Sequence, residues 1–563
     1  MRTTHNTEHK ESHMALIRTT RLRAVAIAIA SMLGGSTAHA VTFETDTIRG
    51  SFDSTVSVGT GIRARSPSCT LITAGASGAG APAGCLAPTS ALGDQGDLNY
   101  GRGDPFTTYV KGSHELLLKL PSDITFMGRV NWIRDFTATR TTGYLSATTP
   151  PSLSDGLADD ARKDLRFKAR LLDFWVSKSF EVGEQTARVR IGNQVISWGE
   201  SLFLPGGINA INALDIMRLS QPGTQLKEAV LPAPMISVAS GLGGGFNFEA
   251  YVQSRWNANY MPPSGSYWSV ANGMGKGHAA YGLSEVKAKN GDQWGASLRW
   301  QPSGTQLNLG AYVVNYNDKA PNFSIDAGGT GTAGWAYPQN RRLYGLSANL
   351  PLGDWSIGSE LSYRPRDAVS INPAVSGCSA NNGNCWVDEK KLQWHLTGLL
   401  SLTPSNAGGL LKLLGADTAT VMAESVVVRY PTLKQFYGDD PIAAGAWGWG
   451  QEMNAAGTPL PVGTKTAWGY NVDFSWVYDG TLIPGWQVVP EIYYFQAVNG
   501  RTPNGAGQLM KGAKSVNLTV AFIQNPATWQ ASINYAAFFG GSSVLDQPYR
   551  DRNFLGLTLS RNF

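Results

Sequence analysis

The sequence predicts an all-β protein, a transmembrane antiparallel up-and-down β-barrel of about 18 strands with long extracellular loops. Three observations support this prediction. The chain begins with an export signal, apolar and polar residues alternate along many short segments, and short turns on one side face long loops on the other. A transmembrane helix would need about eighteen consecutive apolar residues, and no segment after the signal supplies them.

Residues 1–40 are predicted to be a signal peptide that is cleaved after export. A basic segment with Arg18, Arg21 and Arg23 comes first. Ten apolar residues follow at 24–33, and then an A-x-A cleavage site at Ala38-His39-Ala40. Met14 offers an alternative start. We expect residues 41–563 to form a single barrel domain in the outer membrane of a Gram-negative bacterium.

The composition argues against nucleic-acid binding and suits a membrane barrel. The net charge is +5, but the first forty residues hold five Lys/Arg and two Asp/Glu. The net charge of the mature chain is therefore only about +2, which does not indicate a nucleic-acid partner. The 17 Trp, 20 Tyr, 20 Phe and 65 Gly residues fit a secreted all-β protein or a membrane barrel. We expect no cofactor and no metal.

Alternation with a period of two is the main strand signal. From 48 to 63 the even positions are mostly apolar, whereas the odd positions are mostly polar or Gly. In 468–478 one face carries Trp468, Tyr470, Val472, Phe474, Trp476 and Tyr478. Such an aromatic outer face would be a liability in water but suits lipid contact.

The connections predict how the strands are arranged. Six short turns are expected, at 121–123, 183–185, 243–245, 302–304, 351–353 and 525–527. Nine longer stretches lie between the hairpins, at 64–104, 137–163, 200–234, 257–288, 317–339, 365–388, 430–465, 498–513 and 540–551. Short periplasmic turns and long extracellular loops are typical of outer-membrane barrels, and a soluble sandwich or propeller would not explain this asymmetry.

Eighteen strands are expected, and sixteen is the alternative. Their starts are predicted near 48, 105, 123, 164, 185, 235, 246, 289, 305, 341, 354, 389, 417, 466, 486, 514, 528 and 552. An even number places both termini on the periplasmic side. The last strand ends at Phe563, and a terminal phenylalanine is typical of the signal that the barrel assembly machinery recognises. Arg561 departs from that pattern, because an apolar residue is usual there.

Four cysteines, Cys69, Cys85, Cys378 and Cys385, lie in polar, Gly-rich stretches of an exported chain. An even count in an oxidising compartment predicts two disulfides. Proximity in sequence favours Cys69–Cys85 and Cys378–Cys385 among the three possible pairings. A zinc site is the alternative, but no histidine lies near them.

Three stretches resemble the bacterial outer-membrane proteins grouped as domain of unknown function family 1302. They are Ile191 to Glu200 with Gly207-Ile208-Asn209; Pro222-Gly223 with Leu231-Pro232; and Pro490 to Gly500 with Asp551-Arg552-Asn553-Phe554. The resemblance covers nearly the whole mature chain. It implies a porin-like barrel, in a family discussed alongside uptake or export of hydrophobic compounds, and it does not identify the solute.

Charged residues on the polar faces of the strands predict two walls inside the barrel. The basic wall consists of Arg129, Arg166, Lys168, Arg170, Arg188 and Arg190. The acidic wall consists of Glu360, Glu424, Asp473 and Glu491. Opposed walls would orient dipolar solutes and attract anions to one side. The alternative is that these charges form ordinary cross-strand ion pairs.

The connection 200–234 combines apolar residues with helical spacing. Its notable residues are Glu200, Ile208, Asn209, Ile211, Leu214, Asp215, Met217 and Arg218, and they predict a short helix at about 209–220 that ends before Pro222-Gly223. An apolar loop is poorly suited to open water. We therefore expect either a plug folded into the barrel or an extracellular lid.

Catalysis has little support in the sequence. The mature chain has three histidines, His114, His278 and His395, and none lies near a G-x-S-x-G motif. Gly329 to Gly334 fits G-x-G-x-x-G without a helix after it, and Arg102-Gly103-Asp104 in a Gly-rich loop is weak evidence for adhesion. A Ser and a His that meet in space could still form a membrane phospholipase.

Three functions therefore compete. The first is a channel for diffusion or facilitated uptake of small organic molecules, favouring those with a carboxylate. The second is an outer-membrane partner of a periplasmic system that exports lipids or hydrophobic compounds. The third is a hydrolase carried by the barrel. Outer-membrane lipid and a small solute are the expected partners in the first case, and the direction of transport is open.

Overall fold

The computed structural model describes residues 41–72, 93–141, 156–329, 331–445, 452–454, 456–504, 508–543 and 546–563. Eighteen antiparallel strands form one sheet that closes on itself. The first and last strands pair from Thr55 with Asn562 to Arg63 with Phe554 and so complete the ring. The predicted architecture of an up-and-down barrel is confirmed.

The barrel strands, numbered β1 to β18 along the chain, have the following bounds: Arg49–Arg63, Pro105–Leu120, Ile124–Asp135, Phe167–Val182, Gln185–Gln194, Ala233–Gly243, Phe246–Gln253, Gln293–Trp300, Asn308–Tyr316, Arg341–Leu352, Trp355–Ser370, Trp386–Leu402, Thr418–Arg429, Thr466–Ile483, Trp486–Asn499, Ala513–Gln524, Trp529–Gly540 and Phe554–Asn562. A short strand, Val41–Glu44, pairs back onto the start of β1. Each barrel strand begins within four residues of its predicted start.

The outer face of the barrel is apolar and exposed. Along β14 the even-numbered residues point outward, so the predicted aromatic face from Trp468 to Tyr478 lies outside. Large exposed side chains occur around the ring: Val130, Phe174, Ile191, Val238, Val252, Leu298, Leu346, Leu361, Leu396, Ile492, Leu518, Ile533 and Leu557. A surface of this kind needs an apolar surrounding.

The two ends of the barrel differ. At one end, which we call the short-turn end, strands are joined by short links such as 121–123 and 183–184. At the other, the long-loop end, the connections carry short strands at Ala213–Leu214, Val230–Leu231, Ser284–Val286, Asn322–Ser324, Gly334–Ala336, Phe436–Tyr437, Asp440–Pro441, Glu452–Met453 and Pro459–Leu460, and 3-10 turns at Gln95–Asn99, His278–Tyr281, Ala327–Gly329 and Ser379–Asn381. This asymmetry matches the prediction.

Within the described residues, four complete α-helices lie outside the strands: α1 (Asp159–Arg166), α2 (Ile216–Leu219), α3 (Leu226–Ala229) and α4 (Pro404–Leu414). The first three belong to the long-loop end, and α4 belongs to the short-turn end, between β12 and β13. No helix in the described part of the chain combines the length and apolar composition that a membrane crossing requires.

The predicted disulfide between Cys378 and Cys385 is confirmed, with a Cα–Cα distance of 5.0 Å. Both cysteines are buried in an apolar cluster at the long-loop end that includes Ile371 and Ile442. The other predicted pair involves Cys85, which lies outside the described residues.

A buried ionic cluster ties the long loops to the first and last strands. Arg63 lies 2.8 Å from Asp97, and Arg552 lies 3.1 Å from the same carboxylate. Asp551 joins the cluster 3.4 Å from Arg63. Burial raises the pKa of Asp551 to about 7. Buried charges are tolerated when they are paired in this way, so the cluster fixes the loops over the barrel mouth.

Candidate functional site

The connection between β5 and β6, residues 195–232, folds into the barrel, and we call it the lumen loop. Trp198 follows the end of β5 and is fully buried against the inner wall. Its indole N–H donates to Glu249 at 2.7 Å, and its ring packs on Tyr251 and Tyr312 at 5.4 and 5.8 Å. The family stretch around Trp198 therefore directs the chain into the lumen.

Two carboxylates of the predicted acidic wall hold the first half of the lumen loop. Glu360 accepts backbone N–H groups of Glu200, Ser201 and Ile208 at 2.6, 3.2 and 2.9 Å. Glu424 accepts those of Phe203 and Leu204 at 2.6 and 2.9 Å. An irregular backbone inside a barrel must find such acceptors, because an unpaired buried N–H is costly.

His395 lies between the two carboxylates and is fully buried. Its Nδ1 is 2.7 Å from Glu424, and its Nε2 is 4.0 Å from Glu360 and 2.8 Å from the side-chain amide of Gln393. All four side chains come from the inner faces of β11, β12 and β13. They form a polar anchor at mid-height of the wall.

The carbonyl groups of the same loop segment are also paired. Arg364 donates to the carbonyls of Gly206 and Gly207 at 2.7 and 2.8 Å. Gln393 donates to Pro205 at 3.1 Å. A Cβ on Gly207 would lie 1.8 Å from the Glu360 carboxylate, so only glycine allows this approach.

The second half of the lumen loop reaches the opposite wall. Tyr109 of β2 donates to the carbonyl of Pro222 at 2.8 Å. Lys111 of β2 donates to the carbonyl of Gly223 at 2.7 Å and to Glu228 at 2.8 Å. Since β2 and β11 are half a turn apart in a ring of eighteen strands, the lumen loop crosses the barrel from wall to wall.

The predicted helix at 209–220 is wrong in extent. The structure has only α2, Ile216–Leu219, which Asp215 caps by accepting the N–H of Arg218. Ala213 and Leu214 instead pair with Leu231 and Val230. Tertiary contacts explain the difference, because Ile208 and Ile211 are drawn onto the wall cluster of Tyr312, Val314 and Leu343.

The remaining predicted loop residues surround these anchors. Asn349 donates to the Glu200 carboxylate at 3.1 Å. Asn212 donates to Asn209 at 2.7 Å. Arg218 lies 3.3 Å from Glu228, and Met217 packs beside the buried Leu165. The lumen loop therefore has a defined conformation within the barrel and is not a separate lid.

Three of the six residues of the predicted basic wall are paired. Arg129 lies 2.8 Å from both Glu115 and Asp173, its neighbours on the adjacent strands. Lys168 lies 2.6 Å from Asp164 of α1, and Arg170 pairs with Asp215 of the lumen loop. Cross-strand ion pairs, the alternative prediction, therefore account for Arg129, whereas Lys168 and Arg170 pair with connecting segments.

The assignment of Arg166 to the basic wall is wrong. This residue ends α1 at the long-loop end, one residue before β4 begins, and its side chain is exposed. Alternation alone placed it on the inner face, because it precedes Lys168 and Arg170 by even steps. The strand start was predicted three residues too early, and this explains the error.

Arg188 and Arg190 lie on the inner face of β5 and differ from the other cations. In the part of the chain that the structure describes, no carboxylate lies within 4.0 Å of either guanidinium. Arg190 stacks 4.3 Å from the ring centre of Trp175. Arg188 lines a cavity of about 330 Å³ at the short-turn end, together with Ser179, Thr186, Asn247, Ser297 and Arg299.

Arg299 also lines this cavity, and it was not predicted from the sequence. It is the third cation on this side of the lumen, and within the described residues it too has no carboxylate at ion-pair distance. It alternates with outward Leu298 and Trp300 on β8. The same period-two pattern that placed Arg188 could therefore have found it.

The acidic wall also differs from the prediction of an open charged surface. Glu360 and Glu424 are buried under the lumen loop and are used as backbone acceptors. Asp473 and Glu491 lie near each other on the inner faces of β14 and β15. Two facing walls of free charge are therefore absent among the described residues, and the unpaired cations cluster beside the cavity.

Above that cavity, near the long-loop end of β4, side chains of the lumen loop and of the loop after β7 pack closely against the inner wall. Tyr260 lies against two cations there. Its ring centre is 3.2 Å from Nζ of Lys168 and 4.6 Å from Cζ of Arg170. Burial raises the pKa of its phenol, which donates to Asp164. The void left between these side chains and Asp215 is only about 20 Å³, room for roughly one water.

His114 lies on the outer face of the barrel, beside a serine with which it could form a catalytic pair. Its Nδ1 is 2.7 Å from the Ser54 hydroxyl. However, Trp132 donates its indole N–H to Nε2 at 3.0 Å. Since the indole can only donate, a neutral His114 carries its hydrogen on Nδ1 and donates to Ser54. This is the wrong arrangement for activating a serine nucleophile.

The comparisons agree with the family resemblance. The family model described as "Protein of unknown function (DUF1302)" matches residues 21–563. No curated protein is significantly similar in sequence. No group of three or more His, Cys, Asp or Glu residues in the described part of the chain is placed to hold a metal ion.

Solved structures that match this chain include three bacterial proteins. Pseudomonas aeruginosa OpdK with vanillate is 10% identical, covering 91% of this chain and 98% of that chain, with a TM-score of 0.39. P. aeruginosa OccK2 (OpdF) in complex with glucuronate is 11% identical over 91% and 97%, with a TM-score of 0.39. Acinetobacter baumannii OccAB1 is 11% identical over 93% and 98%, with a TM-score of 0.41. These overlaps are too loose to carry a site or a solute over to this chain.

Proposed function

This chain belongs to the DUF1302 family, and on that premise we propose that it forms an outer-membrane channel for small organic solutes, favouring those with a carboxylate. The short-turn end then faces the periplasm and the long-loop end faces the exterior. The observation that carries the proposal is the combination of a closed barrel, an apolar outer face and a polar lumen that one ordered loop narrows.

The size of the barrel supports a channel. Eighteen strands enclose a lumen wide enough for water and solutes unless something fills it. Here the lumen loop closes the side next to β11, β12 and β13. The route we propose runs along the other side and through the cavity lined by Arg188.

The charge of that route supports a carboxylate-bearing solute. Arg188, Arg190 and Arg299 have no ion-pair partner among the described residues, so their field acts on what enters the lumen. Arginine matches a carboxylate through two parallel hydrogen bonds. A local excess of cations in a confined lumen raises the local concentration of anions.

The lumen loop offers apolar contact for the rest of the solute. Ile208 and Ile211 do not provide it, because both are buried against the wall. The exposed apolar residues of the loop are Leu202, Leu219 and Leu226. A solute with a carboxylate at one end and an apolar body would therefore meet complementary groups at both ends.

Two measurements on the purified full-length barrel test this proposal. Planar-bilayer recording should show discrete conductance events. Liposome swelling should be faster with a carboxylate than with its neutral amide of the same size, for example benzoate against benzamide. A folded protein that inserts but never conducts would overturn the channel and favour a docking role in export, while equal rates for both solutes would overturn the carboxylate preference.

A further inference from the structure

Helix α4 has no counterpart among the other short-turn connections. It begins with a capping box formed by Thr403 and Asn406 and with Pro404 in its first turn. It ends where the Tyr478 hydroxyl donates to the carbonyl of Leu414 at 2.9 Å. Both ends of the helix are therefore fixed to the barrel, so the direction of each of its side chains is defined.

The helix lies on the outside of the barrel wall and not across the mouth. Leu411 is 2% exposed and packs on Leu402 and Ala419, next to Phe474 and Trp476. These partners belong to the outward faces of β12, β13 and β14. The contact surface of α4 is therefore continuous with the apolar outer face of the barrel.

The rest of the helix divides into an apolar side and a polar side. The helix is kinked at Ala407. After the kink, at 100° per residue from Leu411, Leu413 points almost directly away from the wall, Leu410 lies to one side, and Lys412 lies to the other. Leu413 is 83% exposed and Leu410 is 41% exposed. This is the distribution of a helix that lies in a membrane interface, with its leucines among acyl chains and its lysine near headgroup phosphates.

We propose that α4 is an interfacial helix that inserts Leu410 and Leu413 into the leaflet at the short-turn end. The occupant of this surface is membrane lipid, because the helix packs on the side of the barrel that already faces lipid. Trp476 and Tyr478, which hold it, are amphipathic aromatics of the kind found at such interfaces. The inference rests on the membrane location in the proposed function and adds a contact that fixes the depth of the barrel.

Fluorescence quenching by lipid tests this inference on the full-length protein. A single cysteine is introduced at Leu413→Cys and labelled with an environment-sensitive nitrobenzoxadiazole probe, in vesicles of phosphatidylethanolamine and phosphatidylglycerol. Lipids with a shallow nitroxide should quench the probe at least twofold more strongly than in the matched variant Lys412→Cys, on the polar side. Equal, weak lipid quenching at both positions would overturn the inference.

A third label separates this outcome from failure of the proposed function. Leu396, on the outer face of β12, is a lipid-facing position if the barrel is inserted. Quenching at Leu396→Cys without quenching at Leu413→Cys overturns only the interfacial helix. No quenching at either overturns the membrane location itself. Shielding of the Leu413→Cys probe from both lipid and aqueous quenchers would mean that a protein partner covers α4, and this too overturns the inference.

Discussion

Individual charged residues in the lumen divide into two chemical roles. Glu360 and Glu424 satisfy backbone N–H groups, and Arg364 satisfies carbonyls, so these charges hold the lumen loop. Arg188 and Arg190 pair with no carboxylate in the described residues, and their charge is available to a solute. Glu360, Glu424, Arg188 and Arg190 were placed on the inner face from alternation. The loop partners of the two carboxylates could not be predicted, because they come from residues far away in sequence.

Replacing Arg188→Gln and Arg190→Gln together should slow carboxylate permeation about thirtyfold, since each of the two charges contributes roughly 1 kcal/mol in a water-filled lumen. Permeation of the neutral amide should change little. The difference should shrink at high salt, because the charges are screened over about 8 Å at physiological ionic strength. Liposome swelling with both solutes measures it. An equal loss for both solutes would mean that the arginines act by size and not by charge.

Glu360→Gln should free the first half of the lumen loop. The neutral amide accepts fewer hydrogen bonds and turns its own NH₂ toward a loop N–H, which costs roughly 2–3 kcal/mol. We expect larger and noisier single-channel currents. Asp473→Asn is the matched control, because this inward carboxylate lies near Glu491 and accepts no backbone N–H of the lumen loop. If the two variants gave the same currents, the loop would not depend on Glu360.

At the scale of elements, the strands were predictable and the helices were not. A period of two repeated over eight to eighteen residues identifies a strand without knowledge of its neighbours. The predicted helix at 209–220 failed because burial of Ile208 and Ile211 outweighed their spacing. Helix α4 was missed, although Thr403-Pro404, Asn406 and Gly415 are a start and stop signal that the sequence contains.

The disulfide between Cys378 and Cys385 closes a loop of eight residues. Chain entropy assigns such a loop about 2.5 kcal/mol. Reduction should therefore loosen the long-loop end while the barrel, held by its closed ladder of strands, stays folded. Proteolysis around residue 380 should become faster, whereas the shift in gel mobility between folded and heated protein should persist. Loss of that shift on reduction would contradict this prediction.

At the scale of the whole molecule, the barrel and the lumen loop have separable roles. The outer face and the ring of strands determine where the protein resides, and these were evident from the sequence. The path through the lumen depends on how one connection crosses from β11 to β2. The sequence indicated only that this connection was too apolar to be exposed to water. A plug inside the barrel and an extracellular lid both remained possible.

Single-channel recording of the wild type beside a loop-deleted variant tests the central claim most directly. Gln194 and Ala233 are paired residues of adjacent strands, so a turn of about four residues can replace 195–232 and leave the barrel intact. The wild type should show small conductance steps, and the variant steps several-fold larger, as expected for an open lumen of eighteen strands. Equal conductance in the two proteins, or none in either when both are folded, would contradict a channel that the lumen loop narrows.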